Sequence, residues 1–393
     1  MPEKEEIDLV LERFYQRYNR YNSEVLKKLG EVIVAFEGLS AIEAKKKANE
    51  LRYSKEVQDM INDLIYLNVR SINDVDILFD KLGKDNLEEA RKFYEAKGLK
   101  FTEYENNKSI KKQVEAIKQE TLGTFENISN SKNVGFVLED DKGNKVFKPL
   151  QKTYNDLVDE AVVNVTTGKE DWQSGMRKTI RGLADSGVKV HEESVTYKSG
   201  YNKRIDNSVK QNILTGMRQI NIGIQRQVGE EFGADGVEIS AHSMCAPDHE
   251  PIQGLQYSNE EFEELNNDLV RPIGELNCTH FVFSIVLGVS QPSYTRSMLD
   301  SFIEESEEEF EYEGKTYTRY EATQVQRKLE TAIRRQKDRQ IIGRASNYKK
   351  LVKKSQNNIS KLTSKYSDFS NKAGLKTYKE NLTVSGYHKV KVG

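Results

Sequence analysis

Cysteine is nearly missing from this chain, with two in 393 residues. Two thiols cannot build a disulfide framework, and so low a count fits a reducing compartment. Long apolar runs are missing as well. No stretch approaches the roughly 20 residues of a membrane span, so no membrane partner is expected. The first residues, MPEKEEIDLV, are charged, so no signal peptide is expected and synthesis should be cytoplasmic. Charge of one sign does not dominate either. A net charge of −2 neither indicates nor excludes nucleic acid, because overall balance can hide local segregation. Histidine and proline are scarce, five and six, and they are not spread evenly. Three of each fall between Glu238 and Ser290, with a fourth proline at Pro292, and both cysteines lie there too.

What is present elsewhere is Lys-, Glu- and Asn-rich and helical in rhythm. Ile7, Leu11, Phe14, Tyr18, Tyr21 and Val25 step by four and three, the seam of an amphipathic helix over 5–29 that packs on a partner. That partner is either the same chain or a second copy. A second helix is marked by Val57, Met60, Ile61, Leu64 and Ile65. A third carries Ile72, Val75, Leu78, Phe79 and Leu82 and stops at Gly83. Two more follow near 86–96 and 109–121. A hairpin follows, with Val134, Phe136 and Leu138 turning at 140–144 and returning through Val146 and Phe147. Tyr154 to Val165 forms a helix capped near Gly168, and Trp172, Met176, Ile180 and Leu183 form another closed by Gly187. A helix of roughly 28 residues, ~42 Å long, runs from Ile205 toward Gly233. Gly216 and Gly223 inside it weaken it locally and permit close helix packing.

The stretch 237–290 reads as a compact module. Val237–Ser240, Leu255–Ser258 and Phe281–Val286 are strand-like, with an acidic loop or short helix at 259–268. Seven glutamates follow between 304 and 313, then a small hairpin turning at Glu313-Gly314. Residues 321–365 reverse the charge, with thirteen Lys or Arg against three Asp or Glu. The expected fold class is α+β, mostly α-helical. It comprises a helical N-terminal arm or bundle (1–125), a core of helices with the small α+β central module (126–300), and a hairpin with a helical, basic C-terminal region (301–393).

His242, Cys245, His249, Cys278 and His280 are metal-capable, with Gln253, Gly254 and Asn277 beside them. Three roles fit. Small buried Cys and hydrogen-bonded His can simply stabilise turns. Zinc takes Cys and His in tetrahedral sites, though the spacing departs from paired-finger patterns and C-x-H wraps an ion poorly. Cys278 with a histidine and Asn277 could act as a thiol nucleophile, but no local signature surrounds it. If both segments share one small core, the three histidines converge, with Cys278 buried beside them.

The order Ser240-Ala241-His242, Pro247-x-His249, Gln253-Gly254, Asn277-Cys278-x-His280 and Gly288-Val289 resembles the bacteriophage minor capsid protein 2 family. It is more loosely similar to Mu F-like head-morphogenesis proteins. The likeness extends upstream through Thr167-Gly168, Trp172–Gly187 and Tyr197-x-Ser199-Gly200-Tyr201. Downstream it runs through Tyr317-x-x-Tyr320, Gln326-Arg327-x-Leu329-Glu330, Ile333-Arg334 and Lys337. It covers about 150–370 and not the N-terminal 125. Ala246 and Thr279 stand where similar proteins usually carry arginine, and Cys245 is particular to this sequence. These departures bear on anion binding or catalysis and less on a structural role.

The resemblance implies a structural, non-enzymatic component of a tailed phage virion, made in the bacterial host cytoplasm. It implies low copy, with the portal or major capsid protein as partner, and a place near packaged DNA. The N-terminal seam offers a route to self-association. No cofactor is expected beyond a structural zinc. The competing reading is a metal-dependent hydrolase or nuclease built on His242, His249, Cys278 and His280. Asp248 and Glu250 are the only close acids for it. For DNA contact the candidates are Arg327, Arg334, Arg335, Lys337, Arg339, Lys349, Lys350, Lys353 and Lys354. The simpler account of that run is a solvated helix face balancing the acidic run at 304–313.

Overall fold

The computed structural model describes residues 4–140, 142–167, 176–192, 201–275 and 278–390. Asp141, Gly168, Trp172, Ser199, Gly200 and Asn277 lie outside the described residues. The chain is mostly helical with small antiparallel sheets, the expected class.

Helix α1 spans Lys4–Val34. Its seam is buried from Leu11 through Phe14, Tyr18, Tyr21 and Val25. The seam's partners belong to the same chain, so from Leu11 to Val25 it offers no apolar row to another copy. Each fully buried side chain of this kind is worth about 1.5–3 kcal/mol over leaving it exposed. The tyrosines need polar partners as well. Tyr18 Oη donates to Asn68 Oδ1 at 2.7 Å, and Tyr21 Oη to the Met60 carbonyl at 3.1 Å. Such bonds fix the register that apolar packing leaves loose.

Helix α2 (Ala41–Arg52) starts with a Ser40/Glu43 capping box and was missed from periodicity. Helix α3 runs unbroken through Glu56–Lys97, 42 residues and roughly 63 Å. Three separate helices were expected there. Gly83 does not stop the helix, because its missing side chain makes room for the Tyr104 ring, which a Cβ would meet at 2.8 Å. The true stop is Gly98, left-handed at φ 63°. Helix α4 (Lys108–Ser129) returns along α3, capped by Asn107.

Strands β1 (Val134–Glu139) and β2 (Lys145–Pro149) form the expected hairpin, with Leu138 opposite Val146. Helices α5 (Leu150–Thr166) and α6 (Arg177–Ser186) follow. Two short strands, β3 (Lys189–Glu192) and β4 (Tyr201–Arg204), extend the hairpin to a four-stranded antiparallel sheet ordered β2-β1-β3-β4. Helix α7 (Ile205–Glu231) matches the expected long helix. A Cβ on Gly216 would lie 2.6 Å from the Phe79 ring, so this glycine does let α3 and α7 approach closely.

The central module is a sheet ordered β6-β5-β7, from β5 (Gly236–Ile239), β6 (Gln256–Ser258) and β7 (Val282–Ile285), with helix α8 (Asn259–Asp268) packed on it. Its core holds Val237, Ile239, Ile252, Phe262, Ile273, Cys278 and Val282. Helix α9 (Arg296–Glu307) leads to the β8 (Glu309–Tyr312) and β9 (Lys315–Thr318) hairpin. Helices α10 (Arg319–Ala345) and α11 (Lys349–Lys372) close the chain as an antiparallel pair. The acidic run is met by Arg319, just ahead of the basic run, which pairs with Glu305 and Glu308, and by Lys365 within it, which pairs with Glu313.

The largest core gathers α1–α7 and takes in Ile341, Ile342, Tyr348, Leu351 and Val384 from the C-terminal region. Its polar centre is Arg204. The guanidinium bonds Asp338 Oδ2 at 2.6 Å and Asp206 through two nitrogens at 3.0 and 3.2 Å. Both carboxylates are buried. Asn22 Nδ2 donates to Asp338 Oδ1, and Asn19 Nδ2 to Asp206 Oδ2. The two amide oxygens then accept the backbone N–H of Val188 and of Ser385. Removing this guanidinium leaves two buried carboxylates without the cation they are hydrogen-bonded to. Arg204→Met should therefore lower stability by about 3–5 kcal/mol, read from urea unfolding midpoints at neutral pH.

Candidate functional site

The site is built where β5 ends. Ser240 exchanges two bonds with Phe281: its N–H donates to the Phe281 carbonyl (2.9 Å), and its Oγ accepts the Phe281 N–H (2.8 Å). That clamp lays the turn-rich segment 240–254 beside 278–280. The segment needs left-handed backbone at Met244 (φ 56°) and Gly254 (φ 69°). At Gly254 a Cβ would also lie 2.3 Å from Leu299 on α9, so only glycine fits.

Gln253 organises the histidines. Its Oε1 accepts the backbone N–H of His242 (3.0 Å), which fixes this oxygen as an acceptor. The same oxygen lies 3.1 Å from His280 Nε2, so that nitrogen carries a proton. His249 Nε2 is 2.7 Å from the Arg271 carbonyl, which only accepts, so it too is protonated. Both rings thereby turn Nδ1 toward Cys278 Sγ, at 3.8 Å for His249 and 3.4 Å for His280. His242 stacks on His280 with centroids 4.5 Å apart. Its own nitrogens are engaged by the Ser243 carbonyl and the Thr279 hydroxyl. The expected convergence of three histidines around a buried Cys278 is what the chain adopts.

Burial would raise the Cys278 thiol, but its hydrogen bonds with His249 and His280 outweigh it and bring the thiol down to about 5. For His249, burial works downward and is overcome by the bonds to Cys278 and the Arg271 carbonyl, so its pKa rises. His242 goes the other way, lowered by burial and by the neighbouring His280. Cys245 is pushed up to about 12 by burial and by Glu250, so it stays a neutral thiol. Among the described residues, only His249, Cys278 and His280 bring their ligand atoms together, all within 4.8 Å. His242 and Cys245, also expected as ligands, stand outside that set.

The cluster forms one wall of a cavity of about 300 Å³. Arg271, Tyr320, Gln324 and Arg327 form the other. Arg271 also binds Asp248 through two nitrogens and, against the effect of burial, holds that carboxyl below its usual range. Arg271, Tyr320 and Gln324 were not read as site residues. Tyr320 and Arg327 do fall in the downstream motifs, which was the available signal. The two arginines also supply cationic side chains where Ala246 and Thr279 carry none.

The basic residues are not one surface. Arg327 faces this cavity. Arg334 donates to Tyr15 Oη at 2.7 Å, Arg339 chelates Asp185, and Lys337 donates to the Leu382 carbonyl. Arg335 is exposed and lines a second cavity. Lys349, Lys350, Lys353 and Lys354 lie exposed on the first turns of α11.

The sequence profile of the family described as Phage minor capsid protein 2 matches residues 4–371. The chain belongs to the phage minor capsid protein 2 family. It is therefore a structural phage protein of the virion. The match extends the resemblance, which stopped near residue 150, over the N-terminal helices. Packing gives the reason, since α1, α3 and α4 share one core with α7. Comparison with curated proteins and with solved structures returned no match. In this minor capsid protein Gln253 is the test of the site's construction. Gln253→Leu strips the acceptor from one buried and one half-buried N–H group and should cost about 1–3 kcal/mol in chemical denaturation. An unchanged midpoint would mean that the rings are held by something else.

Proposed function

We propose that this minor capsid protein sits in few copies near the portal vertex, against the portal or the adjoining head shell, and touches packaged DNA there. The place in the head follows from what the family resemblance implies. Partner contact is supported by Tyr66, Val69 and Ile77, which stand exposed on α3 although apolar. In this reading the His/Cys cluster serves structure, and no hydrolytic reaction is assigned to it.

The observation that carries the DNA contact is a basic cavity of about 440 Å³ between the four-stranded sheet, α7 and α10. Lys189, Lys203, Arg204, Lys210, Arg334 and Arg335 line it against one acid, Asp185. Arg204 is already committed to Asp206 and Asp338, and Asp185 to Arg339. A cationic excess remains. Lys189 reports it: burial first, then the nearby Arg204, Arg335 and Lys145, pull its amine down to about 8, with only Asp206 opposing. A phosphate in the cavity would relieve that repulsion. The exposed lysines at 349, 350, 353 and 354 widen the same role. No helix among the described residues is long and apolar enough to cross a membrane.

Two measurements bear on this reading. Mass spectrometry of purified particles should find the chain in a small fixed ratio to the portal protein. Its absence from particles, despite expression during infection, would leave a role in assembly only. Duplex DNA affinity, followed by fluorescence anisotropy, should fall steeply with salt, and Lys210→Gln and Arg335→Gln should each flatten the slope by about 1. Affinity should also decline as pH rises through about 8, where Lys189 gives up its proton. Weak binding that ignores salt and pH would return the basic run to a solvated face.

A further inference from the structure

We propose that His249, Cys278 and His280 bind a zinc ion, with a solvent molecule from the adjoining cavity as fourth ligand. The argument starts from protons. Both Nε2 atoms are spent on oxygens that only accept, the Arg271 carbonyl and Gln253 Oε1. In neutral rings both Nδ1 atoms then present lone pairs, and both face one sulfur. A thiol has one proton and can satisfy one of them. Protons can fill both gaps only if at least one imidazole is charged, with both residues buried and the ring centroids 5.1 Å apart. One divalent ion satisfies two neutral imidazoles and a thiolate at once.

The two sulfur–nitrogen distances agree. Zinc takes thiolate sulfur at about 2.3 Å and imidazole nitrogen at about 2.0–2.1 Å, so a tetrahedral angle sets S···N separations near 3.6 Å. The observed 3.4 and 3.8 Å bracket that value. The surroundings agree as well. Metal-binding histidines usually donate their far N–H to a carbonyl or a carboxylate, which fixes ring and tautomer; here a main-chain carbonyl and a side-chain amide do so. The His280 backbone N–H also points at Cys278 Sγ at 3.4 Å, favouring thiolate. One sulfur with two imidazoles suits zinc and not magnesium or calcium, which take oxygen. Cys245 and His242 line the cavity but do not join the three ligand atoms.

The module gives such an ion a task. Segment 240–254 has turns in place of regular structure, and the core beneath it is small. A metal joining residue 249 to 278 and 280 would staple this segment to the start of β7. The inference does not depend on where the chain sits in the virion.

The test uses the full chain, purified without a polyhistidine tag. Elemental analysis should find zinc at one per chain. Cobalt replacement should give tetrahedral visible bands and a thiolate-to-cobalt band in the near ultraviolet. Cys278→Ala should lose the near-ultraviolet band and most of the zinc, and Cys245→Ser should keep both. If Cys278→Ala does not fold, the wild-type cobalt spectrum and Cys245→Ser still decide. A chain that arrives without zinc and takes up neither zinc nor cobalt overturns the proposal. So does a thiolate–cobalt band that survives Cys278→Ala or disappears in Cys245→Ser.

Discussion

The largest core of this fold is keyed by the charge of Arg204. One guanidinium holds Asp206 at the start of α7 and Asp338 in the middle of α10, and two asparagines of α1 close the ring. Buried ion groups of this kind add little net stability, because desolvation offsets most of the Coulomb attraction. What they impose is geometry. An apolar seam such as Leu11–Val25 can slide by a turn at modest cost, whereas a slipped register here would leave bare charges in the core. The large helices are therefore keyed at one point and only filled in by Leu, Phe and Tyr around it.

Helix α10 connects that centre to the candidate site. Its first turns present Tyr320, Gln324 and Arg327 to the cavity beside the His/Cys cluster, and its middle presents Arg334 and Arg335 to the basic cavity. Asp338, one turn further on, is locked to Arg204. Three features of different chemistry thus hang on one 27-residue rod. Their mutual placement is set by helix geometry, not by loops, and rigid elements hold functional groups better than loops do.

Much of this was legible in the sequence, and what was not has identifiable causes. The three-four steps of Leu11 to Val25, the alternation of Val134, Phe136 and Leu138, and the turn at Glu313-Gly314 each encode their element locally. Gly83 misled because a helical glycine can mean a stop or a close approach. Only the position of Tyr104, 21 residues away, separates the two. Helix α2 buries just Ala44, Ala48 and Leu51, so it has a cap signal but almost no apolar stripe. The main partners of α1, α7 and α10, lie far downstream, beyond what periodicity can report. At the site, the gathering of His242, His249, His280 and Cys278 could be foreseen from their clustering. Which nitrogen each ring offers could not, because Gln253 and the Arg271 carbonyl decide it through tautomers.

The bond from the Ser385 N–H to Asn19 Oδ1 has a consequence for how the molecule comes into being. Helix α1 leaves the ribosome before two of the groups it hydrogen-bonds to, Asp338 and Ser385, which lie 316 and 366 residues downstream of their partners on α1. Part of its apolar row must wait until that distant segment has been made. Contacts this distant in sequence are slow to form and leave sticky surface open while they do. Emergence of α10 and of the segment around Ser385, and not of α1 itself, is the event that lets the core close.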